Sequence, residues 1–152
     1  MILVHFATLL LAALLALVTI IDLRTMRIPD VLNAALVVSG LVVNWILHRA
    51  IVDALIGAVA GYAAIYVLNM VYRALRGGDG MGMGDAKLLA GGGAWLGWIG
   101  LPFVALLGSA AGIIFVSVQR IRGRTLQAQD ALAFGPFLCV GIFIVWLVQV
   151  YS

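Results

Sequence analysis

Apolar residues run almost unbroken over 2–21, stop at Asp22, and resume over 31–47. Further runs cover 54–72, 101–118 and 132–151, and a shorter, glycine-rich run covers 86–98. An α-helix rises 1.5 Å per residue, so about 20 apolar residues cross about 30 Å of hydrocarbon. The pattern predicts an all-α membrane protein, a single-domain bundle of about six transmembrane helices over 1–152. Only 97–102 separates the fourth run from the fifth, which makes that boundary the least marked. The first run has no basic leading segment and no small-residue cleavage site after it, so it is expected to be a retained helix.

Composition agrees with this reading. Of 152 residues, 65% are hydrophobic and 10% charged, whereas a soluble domain is about half apolar and a quarter charged. A formal charge of +3 could suggest a nucleic-acid partner, but the distribution of the basic residues argues otherwise. Arg24 and Arg27 fall between the first two runs, Arg73, Arg76 and Lys87 around the third connection, and Arg120, Arg122 and Arg124 in the fifth. Alternating helices bring these three connections to one face and leave Arg49 alone on the other. Basic loops face the cytoplasm, so both termini are expected on the non-cytoplasmic side of the inner membrane. Trp45, Trp95, Trp98, Trp146 and Tyr151 fall toward that second face, where aromatic rings anchor at the interface. Gly57 with Gly61, and Gly108 with Gly112, have the four-residue spacing that lets helix backbones approach closely in lipid. The run Gly91 to Gly93 is a denser version of the same feature.

The chemistry is confined to few residues. There is no glutamate, so Asp22, Asp30, Asp53, Asp79, Asp85 and Asp130 are the whole acidic inventory. The single cysteine, Cys139, lies in an apolar stretch, so no disulfide framework, zinc cluster, metal or cofactor is expected. Asp22 closes the first apolar run and Asp85 opens the fourth, both at the edge of hydrocarbon on the basic face. An ionisable group there is costly and is a candidate for function. Two carboxyls brought close tend to share a proton, and such a pair can activate water with one member and protonate a leaving amine with the other. Gly82 and Gly84 let the backbone beside Asp85 take unusual dihedrals and leave room for an extended substrate. Lys87 and Asp30 are further candidates for substrate binding.

Each of these residues also has a plainer explanation. Asp22 could reach water beside Arg24, and Asp85, Asp30, Asp53 and Asp130 could cap helices. Asp79, in Gly-Gly-Asp-Gly, fits a turn, and Lys87 could snorkel. His5 and His48 fall near the opposite face and receive no catalytic role.

Three segments in order carry a family resemblance. The stretch from Asp22 to Asp30 resembles the first-aspartate segment of the type IV prepilin peptidases. Gly82-Met83-Gly84-Asp85 resembles their G-x-G-D motif, shared with presenilin-like proteases. Ala133-Phe134-Gly135-Pro136-Phe137 is similar to their P-F-G-P segment, with Ala133 in place of proline. The resemblance implies a membrane aspartic endopeptidase with Asp22 and Asp85 as the catalytic pair, cutting pilin-like precursors at the cytoplasmic face. Long members add a cytoplasmic segment with paired cysteines and methylate the new N-terminus. This chain begins at its first helix and resembles the short form of tight-adherence (Flp-type) pilus systems. Two other classes fit the bundle: a small transporter using the aspartates as a relay, and a noncatalytic scaffold of a pilus or secretion assembly.

Overall fold

The structure, a computed structural model, describes residues 2–77, 82–122 and 133–151. Among these, six α-helices and no strand occur: α1 (Ile2–Thr25), α2 (Asp30–Ile46), α3 (Ile51–Arg76), α4 (Met83–Leu96), α5 (Leu101–Ile121) and α6 (Gly135–Tyr151). The six helices follow the six apolar runs. Three segments, Ile2–Thr25, Ile51–Arg76 and Trp98–Ile121, are long and apolar enough to cross a membrane. The boundary after α4 is physically well defined. Gly97, at φ 73°, breaks the helix, a single 3-10 turn follows over Trp98–Gly100, and Pro102 sits in the first turn of α5. A positive φ suits glycine, which has no Cβ to clash.

The bundle is built around its shortest helix. Every residue of α4 from Leu88 to Leu96 is buried, because α2, α3 and α6 all pack on it. Successive helical residues turn by about 100°, so three consecutive glycines point at three different neighbours. A Cβ at Gly91 would come within 2.8 Å of Leu36 on α2, and one at Gly92 within 2.8 Å of Ile142 on α6. A Cβ at Gly93 would strike the Gly57 backbone on α3. Gly61 meets the Leu89 carbonyl in the same way, and Gly40 lies against Ala94 and Trp95. The glycine run is thus close packing on every side. On α5, a Cβ at Gly108 would come within 3.2 Å of Leu138, whereas one at Gly112 would meet Phe134 at an ordinary 3.5 Å.

The aromatic residues divide, and two of the expected anchors are not interfacial. Trp45, Trp98 and Tyr151 are exposed, but Trp95 and Trp146 are completely buried. Their rings meet edge to face at 5.1 Å. Trp95 Nε1 donates to the Leu36 carbonyl at 3.0 Å and Trp146 Nε1 to Thr8 Oγ1 at 3.0 Å. With both N–H groups satisfied, the indoles serve as core. Nearby, the buried Asn44 amide donates to the carbonyls of Gly40, Ala94 and Trp95 at 2.9, 2.9 and 3.2 Å, tying α2 to α4.

The expected caps also change. Pro29 and Ala50 occupy the N-cap positions of α2 and α3, neither with a side-chain cap. Asp30 and Asp53 lie inside the first turns instead, where a carboxylate still favours the positive helix end. Asp79, Asp130 and Arg124 lie outside the described residues.

Contacts of α3 with α4 set the depth of α4. Gly57 opposes Gly93 and Gly61 opposes Leu89, and the antiparallel register then puts Asp85 opposite Ile65. From that level α3 continues to Arg76, roughly 16 Å further at 1.5 Å per residue.

Candidate active site

Asp22 is drawn inward by the same spacing that builds the core face of α1. Ala7, Leu11, Leu15, Val18 and Asp22 form its buried stripe, and the i, i+3, i+4 repeat of a helix puts them all on one side. The carboxylate is 5% exposed. It is not a charge reaching for water beside Arg24. Gly135, at the start of α6, stands directly against it, with its backbone N–H facing the carboxylate. A Cβ at position 135 would collide with Asp22 Oδ2. That oxygen is buried without a hydrogen-bond partner among the described residues.

After Thr25 the chain turns sharply. Met26 takes φ 50° and its N–H bonds the Asp22 carbonyl at 2.8 Å. The turn feeds Ile28 back into the protein, where it is 8% exposed. Ile28 fills the space between two glycines: a Cβ at Gly84 would meet it at 3.4 Å and one at Gly135 at 3.3 Å. One isoleucine thereby spaces the start of α4 from the start of α6, with an aspartate beside each.

Asp85 lies in the first turn of α4, not at its N-cap, which is Gly82. Its N–H bonds the Gly82 carbonyl at 3.1 Å. Gly82 has ordinary extended dihedrals (φ −67°, ψ 139°) and Gly84 is helical, so neither supplies an unusual backbone conformation. These glycines supply room: a Cβ at Gly82 would sit 3.8 Å from Asp85 Oδ2. The Asp22 and Asp85 carboxylates line one cavity, and the charge of Asp22 acts on Asp85.

A cavity of about 420 Å³ opens between these elements. It is lined by all six residues singled out in the sequence: Asp22, Asp30, Gly82, Gly84, Asp85 and Lys87. At its rim the Lys87 ammonium donates to Asp30 Oδ1 at 2.6 Å, joining α4 to α2. Asp30 is thus one half of an ion pair, exposed at 75%, while Lys87 is 38% exposed. Met26, Arg27, Ile28, Met83, Ala133 and Phe134 complete the lining. None of these six is expected from the sequence to take part in the site. Their signal was adjacency to the two aspartate segments and to the Phe-Gly-Pro segment. Among the described residues no group of three or more His, Cys or Asp could hold a metal ion. His5 bonds the Tyr151 hydroxyl at 2.8 Å, away from the cavity.

An all-helical protein with bilayer-length apolar helices, and with two carboxylates sharing one cavity at the helix ends, defines a class of membrane-embedded two-carboxylate proteins. Within that class, the chain belongs to the type IV leader peptidase family, whose family model matches residues 9–117. It is 44% identical over 131 residues to a prepilin leader peptidase/N-methyltransferase of Burkholderia pseudomallei, covering 86% of this chain and 42% of that protein. A protein of the same name from Aeromonas salmonicida is 42% identical over 142 residues, covering 93% of this chain and 48% of its own length. One from Neisseria gonorrhoeae is 39% identical over 142 residues, covering 91% and 47%. The chain therefore spans a little under half the length of these relatives. No solved structure matches it.

Proposed function

We propose that the chain is a membrane aspartic endopeptidase that removes the leader of type IV or Flp-type prepilins at the cytoplasmic face of the inner membrane. The observation that carries this reading is the meeting of Asp22 and Asp85 in one cavity, in a chain whose relatives are named prepilin leader peptidases. The precursor lays its hydrophobic helix beside the bundle and unwinds the segment to be cut between the two aspartates. One ionised carboxylate takes a proton from water, and the oxygen attacks the peptide carbonyl. The other, protonated, carboxyl donates to the carbonyl oxygen as the tetrahedral centre forms. Collapse of that centre breaks the C–N bond, and the amine leaves with a proton returned by the pair. The cavity's glycines leave space for an extended backbone, and the leader enters past Asp30 and Lys87 at the rim. In this reading the basic connections face the cytoplasm and both chain ends face the opposite side.

The test is co-expression of a tagged pilin precursor with the wild type, Asp22→Asn and Asp85→Asn. Each variant is expected to leave the precursor uncut, because one carboxylate alone cannot serve as base and acid together. Undiminished processing by either variant sinks the two-aspartate mechanism. A proteoliposome ion flux lost in both variants, with no cleavage at all, would favour transport.

A further inference from the structure

The buried face of α2 consists of Asn33, Leu36, Gly40 and Asn44, and its two asparagines are treated differently. Asn44 makes three hydrogen bonds with its amide. Asn33 is 4% exposed, and among the described residues neither its Nδ2 nor its Oδ1, both buried, has a hydrogen-bond partner. An unsatisfied buried amide destabilises a fold, and an apolar side chain of the same shape would be tolerated better. Packing therefore does not explain why this position is polar.

Its location supplies a reason. Asn33 lies one turn from Asp30 on α2, and residues three apart are neighbours on a helix surface. It falls between two contacts with α4: the Asp30–Lys87 ion pair and the Leu36–Gly91 packing contact. Lys87 has three donors, and its described hydrogen bond goes to a carboxylate that is 75% exposed at the cavity rim. A cationic side chain entering the cavity would compete for that carboxylate and release the ammonium. The unfilled acceptor on the same helix face is Asn33 Oδ1.

We propose that Asn33 is a positioning residue: when substrate engages Asp30, Lys87 turns one helical turn inward and is held by Asn33 Oδ1. This rests on the endopeptidase reading above and adds an occupied state to it. Held at that depth, the ammonium favours ionisation of the carboxylate that must take the proton from water. In the empty site the same charge is spent on the rim. Asp30 and Asn33 are thus alternative partners for one lysine, and the substrate's own charge makes the exchange.

The experiment uses the full chain in proteoliposomes with a tagged prepilin, reading initial rates and the thermal unfolding midpoint. Asn33→Leu is expected to unfold at the same temperature or higher yet to cleave about tenfold more slowly, the effect of one charge-assisted hydrogen bond. The loss should fall on kcat and leave KM within about twofold, since the lysine is positioned after substrate binds. Asn33→Thr, which keeps an oxygen acceptor, recovers most of the rate. Asn33→Leu combined with Lys87→Met is no slower than Lys87→Met alone, because both act through one contact. The proposal is overturned if Asn33→Leu cleaves at the wild-type rate. It is equally overturned if the two losses multiply, or if the threonine variant is as slow as the leucine one. None of these outcomes touches the two-aspartate reading, which stands or falls on Asp22→Asn and Asp85→Asn.

Discussion

Gly135 shows how the site is fitted at the scale of single residues. Its missing side chain is the space occupied by the Asp22 carboxylate, so Gly135→Ala must displace either that carboxylate or the start of α6. We expect the variant to fold with a loss of about 1–3 kcal/mol, as for overpacked cores, and to lose most of its cleavage. The check is an unfolding curve in detergent beside a precursor-processing assay, and full processing would contradict this geometry. The two aspartates were legible in the sequence because each interrupts or opens an apolar run. The partner of Asp30 was not: Lys87 is 57 positions away, and only the parallel packing of α2 on α4 brings them together. A still greater separation in sequence hides the contact of Gly135 with Asp22, although each segment carries its own signal.

Between elements, helix packing depends on what a glycine faces. Gly93 and Gly57 meet backbone to backbone, whereas Gly91 and Gly92 meet the side chains of Leu36 and Ile142. Side chains can change rotamer, but a carbonyl fixed in a helix cannot move without the whole helix. Alanine at 93 or 57 is therefore expected to destabilise the bundle more than alanine at 91 or 92, by about 1–3 kcal/mol at the backbone contacts. Thermal unfolding of the four variants in one detergent gives the ranking, and equal midpoints would refute it. The positions of the six helices were readable from the apolar runs. The role of Trp95 and Trp146 was not, because interfacial anchoring presupposes a helix side turned to lipid. α4 has no such side from Leu88 to Leu96, and nothing local in its sequence distinguishes enclosure by protein from enclosure by lipid.

For the whole molecule, the basic connections predict an orientation that labelling can read. A membrane-impermeant thiol reagent applied to intact cells should modify Arg49→Cys and leave Arg76→Cys untouched, while permeabilised cells show both. The native Cys139 is 3% exposed and gives little background. The reverse pattern would invert the topology and put the aspartate cavity on the wrong side for the proposed cleavage. Charge counting could suggest which way the bundle faces, but it could not give the depth of the site within it.

That depth follows from the unequal lengths of α3 and α4, 26 and 14 residues. The longer helix matches a full bilayer, whereas the shorter covers only about 21 Å of one at 1.5 Å per residue. Asp85 therefore sits in a dent, and lipid beside the 17-residue α2 and α6 that flank α4 meets a hydrophobic length too short for it. Hydrophobic mismatch of this kind is relieved by thinning the surrounding bilayer. Membrane thickness then becomes a control on how readily water and a leader peptide reach the carboxylates. Reconstituted into phosphatidylcholines of increasing acyl length, the protein should cleave fastest in the thinnest bilayer that keeps it folded, and a rate indifferent to chain length would argue against the dent.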